Sequence, residues 1–340
     1  MFEDFHGNAR VTAALARMVG QDRLPQTLLV AGPEGVGKAT LARRLGARLL
    51  GRKERIEQDD LSLPANLALI EEREKWPAEK RAEEPLFFAS HPDFVTFPPD
   101  GPLRQLSIQQ MRLLRDRAQY KPLKGDRRLF LIDHLDRANE QAANSLLKTL
   151  EEPPPHLTLV LTAENAQDLL PTIRSRAVPL YLAPLAPEEM GRFASQRDLE
   201  QAERRMALAS GSPGVAVALD LAQYDRRKVA MLGLLQAACG AAPFTSWLDH
   251  ADAVAARRNE KLEDYLKVLY GLIQDLLSIR EGGGSIRNSE LRTDLEQLAA
   301  RVSFHWIRTA VAKTDELLML ARRNIQRSIA LDAWVLALRP

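Results

Sequence analysis

The residues best equipped for chemistry form the stretch Gly32-Pro33-Glu34-Gly35-Val36-Gly37-Lys38-Ala39-Thr40, nearly the pattern G-x-x-x-x-G-K-[ST]. That pattern wraps backbone N–H groups around phosphates at a helix N-terminus, while the lysine neutralises charge and the next hydroxyl ligates Mg²⁺. Here Ala39 stands where the hydroxyl belongs. Gly32, Gly35, Gly37 and Lys38 could still hold the phosphates of ATP or ADP. Thr40 would have to supply the missing hydroxyl, yet adjacent helical residues point about 100° apart. Bound nucleotide is therefore expected to be weak or absent. The plain alternative is a Gly-rich turn before an ordinary helix. The flanks argue against it: residues 27–31 are a short apolar run suited to a buried strand, and residues 39–50 have helical periodicity.

A second group of candidates follows the apolar run at residues 128–132. A carboxylate at the end of such a strand, here Asp133, lies near bound phosphates in a P-loop protein and orients Mg²⁺. Motors of this kind place a glutamate next, where it polarises the attacking water; this chain has His134. An imidazole is a base in principle, but with the Mg²⁺ hydroxyl also missing a structural role is the expectation.

These side chains need a scaffold, and the hydrophobic pattern supplies one. Helical periodicity covers residues 9–20, and Ser107 opens a helix through Ala118 as its N-cap. Another helix covers residues 139–150 and stops at Pro153-Pro154-Pro155. Buried-strand patterns recur at residues 157–162 and 178–182, and His91-Pro92-Asp93 reads as a turn entering a strand at Phe94. Strands alternating with helices imply an α/β domain with a parallel, doubly wound sheet over residues 1–182. Within it, residues 51–85 are dense in charge and broken by Pro64 and Pro77, which predicts an exposed insertion with a helix near residues 65–75 and its charge runs on a solvated face.

After Pro184 only helical patterns remain. They divide into a small helical domain over residues 183–223 and a larger all-helical domain over 224–340. The larger one has amphipathic stretches at 265–277 and 307–320, with Glu281-Gly282-Gly283-Gly284-Ser285 as a flexible connection between them.

The whole-chain numbers exclude more than they assign. A net charge of +2 over 340 residues gives no general argument for nucleic acid. The single cysteine, Cys239, rules out an internal disulfide and a cysteine-based zinc site, and fits a reducing cytoplasm. A polar N-terminus without a signal-peptide pattern, and no run of 18 apolar residues, predict a soluble cytoplasmic protein that does not engage membranes.

Four segments together resemble the clamp-loader ATPase family of the AAA+ class, within it the bacterial DNA polymerase III delta-prime branch. They are Gly32 to Thr40, Asp133 to Asp136, the run from Ala142-Ala143-Asn144-Ser145-Leu146-Leu147-Lys148-Thr149-Leu150 through Glu151-Glu152-Pro153-Pro154, and Ser175-Arg176-Ala177. The third is the most specific, and the resemblance covers about residues 20 to 220. It implies that residues 183–223 form a lid and residues 224–340 a collar for oligomerisation. It also implies that Arg176 is an arginine finger: it reaches a neighbouring subunit's ATP and stabilises transition-state charge. Ala177 replaces the cysteine of that motif, and Gly214 stands where active subunits carry a phosphate-sensing arginine; Thr162 falls near the sensor position.

Ala39, His134 and Gly214 together imply a subunit that does not hydrolyse ATP. Its implied partners are the gamma/tau and delta subunits, and through them the sliding clamp and primer-template DNA. The resemblance departs at the four-cysteine zinc module usual after the P-loop helix. Residues 51–90 hold no cysteine, so no metal and no zinc are expected. The competing readings are an active gamma/tau-like ATPase, suggested by Lys38 and Asp133, and a helical adaptor with a vestigial P-loop.

Overall fold

The computed structural model describes residues 2, 5–256, 260–283, 286–321 and 325–339. The chain divides into two compact units, residues 1–197 with 211–215, and residues 198–210 with 216–340.

In the first unit, α1 (Ala9–Gly20) leads to β1 (Thr27–Ala31) and α2 (Lys38–Leu50). Three short helices follow, α3 (Lys53–Glu57), α4 (Pro64–Glu74) and α5 (Ala78–Glu83), then β2 (Phe88–His91), β3 (Phe94–Phe97), α6 (Ile108–Ala118), β4 (Arg128–Ile132) and α7 (Glu140–Glu151). β5 (Leu157–Ala163), α8 (Pro171–Arg174), β6 (Val178–Tyr181) and α9 (Pro187–Gln196) complete it. The strands form one sheet in the order β2-β3-β4-β5-β1-β6.

β1 pairs in parallel with β5 and β6, and β4 with β3 and β5. β1, β3, β4 and β5 are buried along their whole length, because helices cover both faces of the sheet. Side chains alternate between two cores. Leu29, Phe130, Ile132, Leu159 and Leu161 join Met111, Leu114 and Leu146 of α6 and α7. Leu28, Val30, Leu129, Leu131 and Val160 join Leu15, Leu41 and Leu45 of α1 and α2. Each such fully buried side chain contributes about 1.5–3 kcal/mol.

The expected α/β sheet is present and mostly parallel, and two details depart from expectation. The sheet is not wholly parallel: β2 runs antiparallel to β3 at the edge, joined by Pro92-Asp93. His91 is consequently the last residue of a strand, fully buried, with its Nδ1 accepting a hydrogen bond from the Asp93 N–H. The charged insertion is also less solvated than its composition implies. Arg43 is buried against Glu57 and Asp60, and Arg73 forms a buried pair with Asp100 while donating to the Glu84 carbonyl. Ile56 and Ile70 are also buried, Ile70 with Leu86 and Phe88. Paired charge and apolar contact together hold this segment. The α6 N-terminus agrees with expectation: Ser107 and Gln110 form a reciprocal capping box.

The second unit is helical throughout its described residues. It contains α10 (Ala202–Ala209), α12 (Leu221–Ala238), α13 (Phe244–Ala256), α14 (Leu262–Arg280), α15 (Arg292–Ala299), α16 (Phe304–Ala321) and α17 (Arg327–Leu338). α11 (Pro213–Ala218) straddles the division between the units. Trp247, Tyr265, Leu269, Leu272 and Trp334 fill its core. Asp220 caps α12 through the Gln223 N–H, so the division point at 223/224 lies within the first turn of a continuous helix. Of the connection at 281–285, Gly284 and Ser285 lie outside the described residues.

Candidate functional site

β1 delivers the chain into the P-loop, and α2 starts at Lys38. Gly35 (φ +74°) and Gly37 (φ +99°) occupy the left-handed region that makes glycine necessary there. Lys38 is buried, and its Nζ donates to the carbonyls of Gly32 at 2.6 Å and Pro33 at 2.8 Å. Burial pushes its ammonium below the ordinary lysine value, opposed by the charges of Glu164, Asp133, Asp136 and Glu34.

The loop is hemmed in on two sides. At Gly37 an added Cβ would stand 3.0 Å from the Phe5 ring. The Gly214 N–H donates to the Gly35 carbonyl at 2.8 Å, and a Cβ on Gly35 would meet the Val215 nitrogen at 2.7 Å. Gly214 is itself pressed on Gly35, where an added Cβ would lie 3.0 Å from that residue's Cα and O. The close approach gives a physical reason for glycine at 214, where a larger side chain would force the two segments apart. Thr40 does not replace the Ala39 hydroxyl at this point. Its Oγ1 accepts from Arg43 Nη2 at 3.4 Å, on the side of α2 that carries the Glu57 and Asp60 ion pairs.

β4 and β5 bring the second group together. Ile132 pairs with Leu161, which puts Asp133 beside Thr162 at the carboxyl ends of both strands. Thr162 Oγ1 donates to Asp133 Oδ1 at 2.6 Å and accepts from the His134 N–H at 2.8 Å. His134 itself is left-handed at φ +53°, a conformation uncommon for residues other than glycine. It turns the chain into the 3-10 segment Leu135–Arg137, and its Nδ1 faces Glu164 Oε1 at 3.9 Å. Asp136 completes a group in which donor atoms of His134, Asp136 and Glu164 all lie within 4.8 Å of one another. Burial raises the Asp136 carboxyl above its ordinary value, with His134 opposing.

Arg176 lies apart from these groups, in the turn after α8. Its Nη1 donates to the Thr172 carbonyl at 2.8 Å, and its Nη2 to Glu151 Oε1 at 2.7 Å. About a third of the side chain (32%) remains exposed. Ala177, by contrast, is buried in the core that includes β5 and α7. Sequence reasoning missed Glu151 as the partner of Arg176, Phe5 at the loop and Glu164. Each is distant in sequence from its neighbour, and no local pattern marks it.

The sequence profile of the family described as "DNA polymerase III, delta subunit" matches residues 7–186, more than half of the chain. The chain belongs to that family. A DNA polymerase III subunit delta' from Pseudomonas aeruginosa is 30% identical over 205 residues, which cover 59% of this chain and 57% of that protein. The corresponding Bacillus subtilis subunit is 33% identical over 218 residues, covering 64% of this chain and 59% of that protein. The chain thus spans less than two thirds of the length of these delta-prime relatives. DNA polymerase III subunit tau of Escherichia coli is 30% identical over 189 residues, 56% of this chain and 26% of that protein. Membership fits the architecture, a mostly parallel α/β sheet followed by a helical region. Among the described residues no helix is long and apolar enough to cross a membrane.

Proposed function

We infer that the chain is a delta-prime-type subunit of the DNA polymerase III clamp loader, one that does not hydrolyse ATP but completes a neighbouring subunit's ATP site with Arg176. The observation carrying this reading is the contrast between the two groups of side chains. Around the P-loop, Ala39 lacks the Mg²⁺-binding hydroxyl, His134 stands at the water-polarising position, and Gly214 replaces a cation. Lys38 is turned onto the loop's own carbonyls, and Gly35 is closed off by Val215. These residues do not fit Mg²⁺-ATP, which supports weak or absent nucleotide. Arg176 retains a partly exposed guanidinium. Such a group placed near a γ-phosphate stabilises the charge that develops on the transferring oxygens.

On this reading the helical domain at 224–340 packs with the gamma/tau and delta subunits into a collar. The assembly then opens the sliding clamp and sets it on primed DNA in the cytoplasm. The test is the clamp- and DNA-stimulated ATPase rate of a loader reconstituted with this chain or its Arg176→Ala variant, beside the isolated chain. An inactive isolated chain and a lower rate with the variant, at unchanged assembly, are expected. An isolated chain that hydrolyses ATP would instead favour a gamma/tau-like enzyme. Failure to join other loader subunits would favour an adaptor.

A further inference from the structure

We propose that His134, Asp136 and Glu164 form a binding site for a divalent transition-metal ion of the Zn²⁺ type. One imidazole nitrogen and two carboxylate oxygens would hold it, with water completing the shell. Two segments contribute: the turn after β4, which carries His134 and Asp136, and the residue following β5, Glu164. Their donor atoms lie within 4.8 Å of one another, and His134 Nδ1 stands 3.9 Å from Glu164 Oε1. Donors about 2.1 Å from a shared zinc ion lie roughly 3.0–4.2 Å apart, so small side-chain rotations close the set.

A separate observation points to the same place. His134 Nδ1 and Asp136 Oδ1 are both shielded from solvent, and neither has a hydrogen-bond partner. Buried polar atoms normally have one, and two orphans on residues of one donor cluster are what a bound cation would satisfy. The backbone under them is fixed, because the His134 N–H is held by Thr162, which also holds Asp133. Glu164, 40% exposed, leaves a route of entry.

Lys38 is the nearest competitor for these carboxylates. Its ammonium, however, is engaged by the Gly32 and Pro33 carbonyls. A nitrogen donor beside two oxygens favours a borderline ion such as Zn²⁺ over Mg²⁺, which prefers all-oxygen shells. This is not the Mg²⁺ position of a P-loop, which relies on the residue-39 hydroxyl and Asp133. It would tie the ends of β4 and β5 together without taking part in nucleotide chemistry.

The test uses tag-free full-length chain, stripped with chelator and titrated with Co²⁺ and then Zn²⁺. One equivalent of Co²⁺ should give visible ligand-field absorption that Zn²⁺ abolishes, and Zn²⁺ should raise Tm by several degrees. Asp136→Asn and Glu164→Gln should each weaken Co²⁺ binding at least tenfold while keeping the metal-free Tm close to wild type. Because Glu164 lies at the surface, its variant stays informative if a change at Asp136 disturbs folding. No absorption and no Tm shift would overturn the proposal. So would undiminished binding in the Glu164 variant, which would put the ion at another histidine.

Discussion

Glu151 holds Arg176: the guanidinium Nη2 donates to Glu151 Oε1 at 2.7 Å while Nη1 donates to the Thr172 carbonyl. The guanidinium is thereby held in one orientation, and its two anchors come from α7 and α8. An exposed pair of this kind contributes at most about 1 kcal/mol to stability, so its consequence is orientation. Glu151→Gln keeps a hydrogen-bond acceptor and removes the charge. We expect a change in unfolding free energy below about 1 kcal/mol by urea denaturation. In a reconstituted loader the stimulated ATPase rate should fall, by less than Arg176→Ala lowers it. An equal fall in both variants would mean that Glu151 itself contacts the neighbouring site.

Gly35 offers a stability test of the seat between the P-loop and residues 211–215. Gly35→Ala forces a left-handed alanine, at a cost of about 1–2 kcal/mol, and drives its Cβ to 2.7 Å from the Val215 nitrogen. Gly282 has almost the same φ, +75° against +74°, but an added Cβ there meets nothing within 4 Å. Gly282→Ala therefore carries the conformational term alone. Gly35→Ala should be more destabilising by a further 1–3 kcal/mol or so, the usual effect of overpacking. Equal values for the two variants in chemical denaturation would show that the 211–215 segment yields without resistance.

Much of this arrangement is legible in the sequence because β1, β4 and β5 are buried on both faces and therefore read as continuous apolar runs. β2 escapes that logic. It has four residues, two of them not buried, and includes Ser90 and His91, so local pattern gives it no strand signal. The same limit applies around the site. Asp133 and Lys38 carry a motif, but the partners of Arg176 and of Arg73 lie 25 and 27 residues away. Charged residues at such separations read as solvated until the fold brings them together.

The Arg73–Asp100 pair measures how far the insertion depends on buried charge. Arg73 Nη2 lies 2.6 Å from Asp100 Oδ2, with side-chain exposures of 5% and 7%. Removing one partner strands the other charge away from water, which typically costs about 3–5 kcal/mol. Arg73→Met should destabilise the protein by that order in urea unfolding. The double change Arg73→Met with Asp100→Asn should recover part of it, since no buried charge is then left unpaired. A single variant as stable as wild type would mean that water reaches Asp100 once the guanidinium is gone.

His91 sets an acid limit on stability. Its ring is fully buried, Nδ1 accepts from the Asp93 N–H, and Nε2 has no hydrogen-bond partner. A neutral ring with its proton on Nε2 suits this geometry, because a proton on Nδ1 would collide with that N–H. Burial lowers the imidazole below its ordinary value; Asp93 opposes the shift, while Arg52, Lys124 and Arg55 reinforce it. The sign follows from proton counting. Between the folded and the unfolded histidine values the unfolded chain binds more protons, so stability is present above the ordinary value and is lost as pH falls through the folded one. Each unit of depression corresponds to about 1.4 kcal/mol. His91→Asn retains an acceptor near the Nδ1 position and cannot take up the proton. Thermal melts from pH 7.5 to 5 should show the wild type losing Tm faster than the variant, with the gap opening below the ordinary histidine range. Parallel curves would mean that the ring charges without breaking its bond to Asp93.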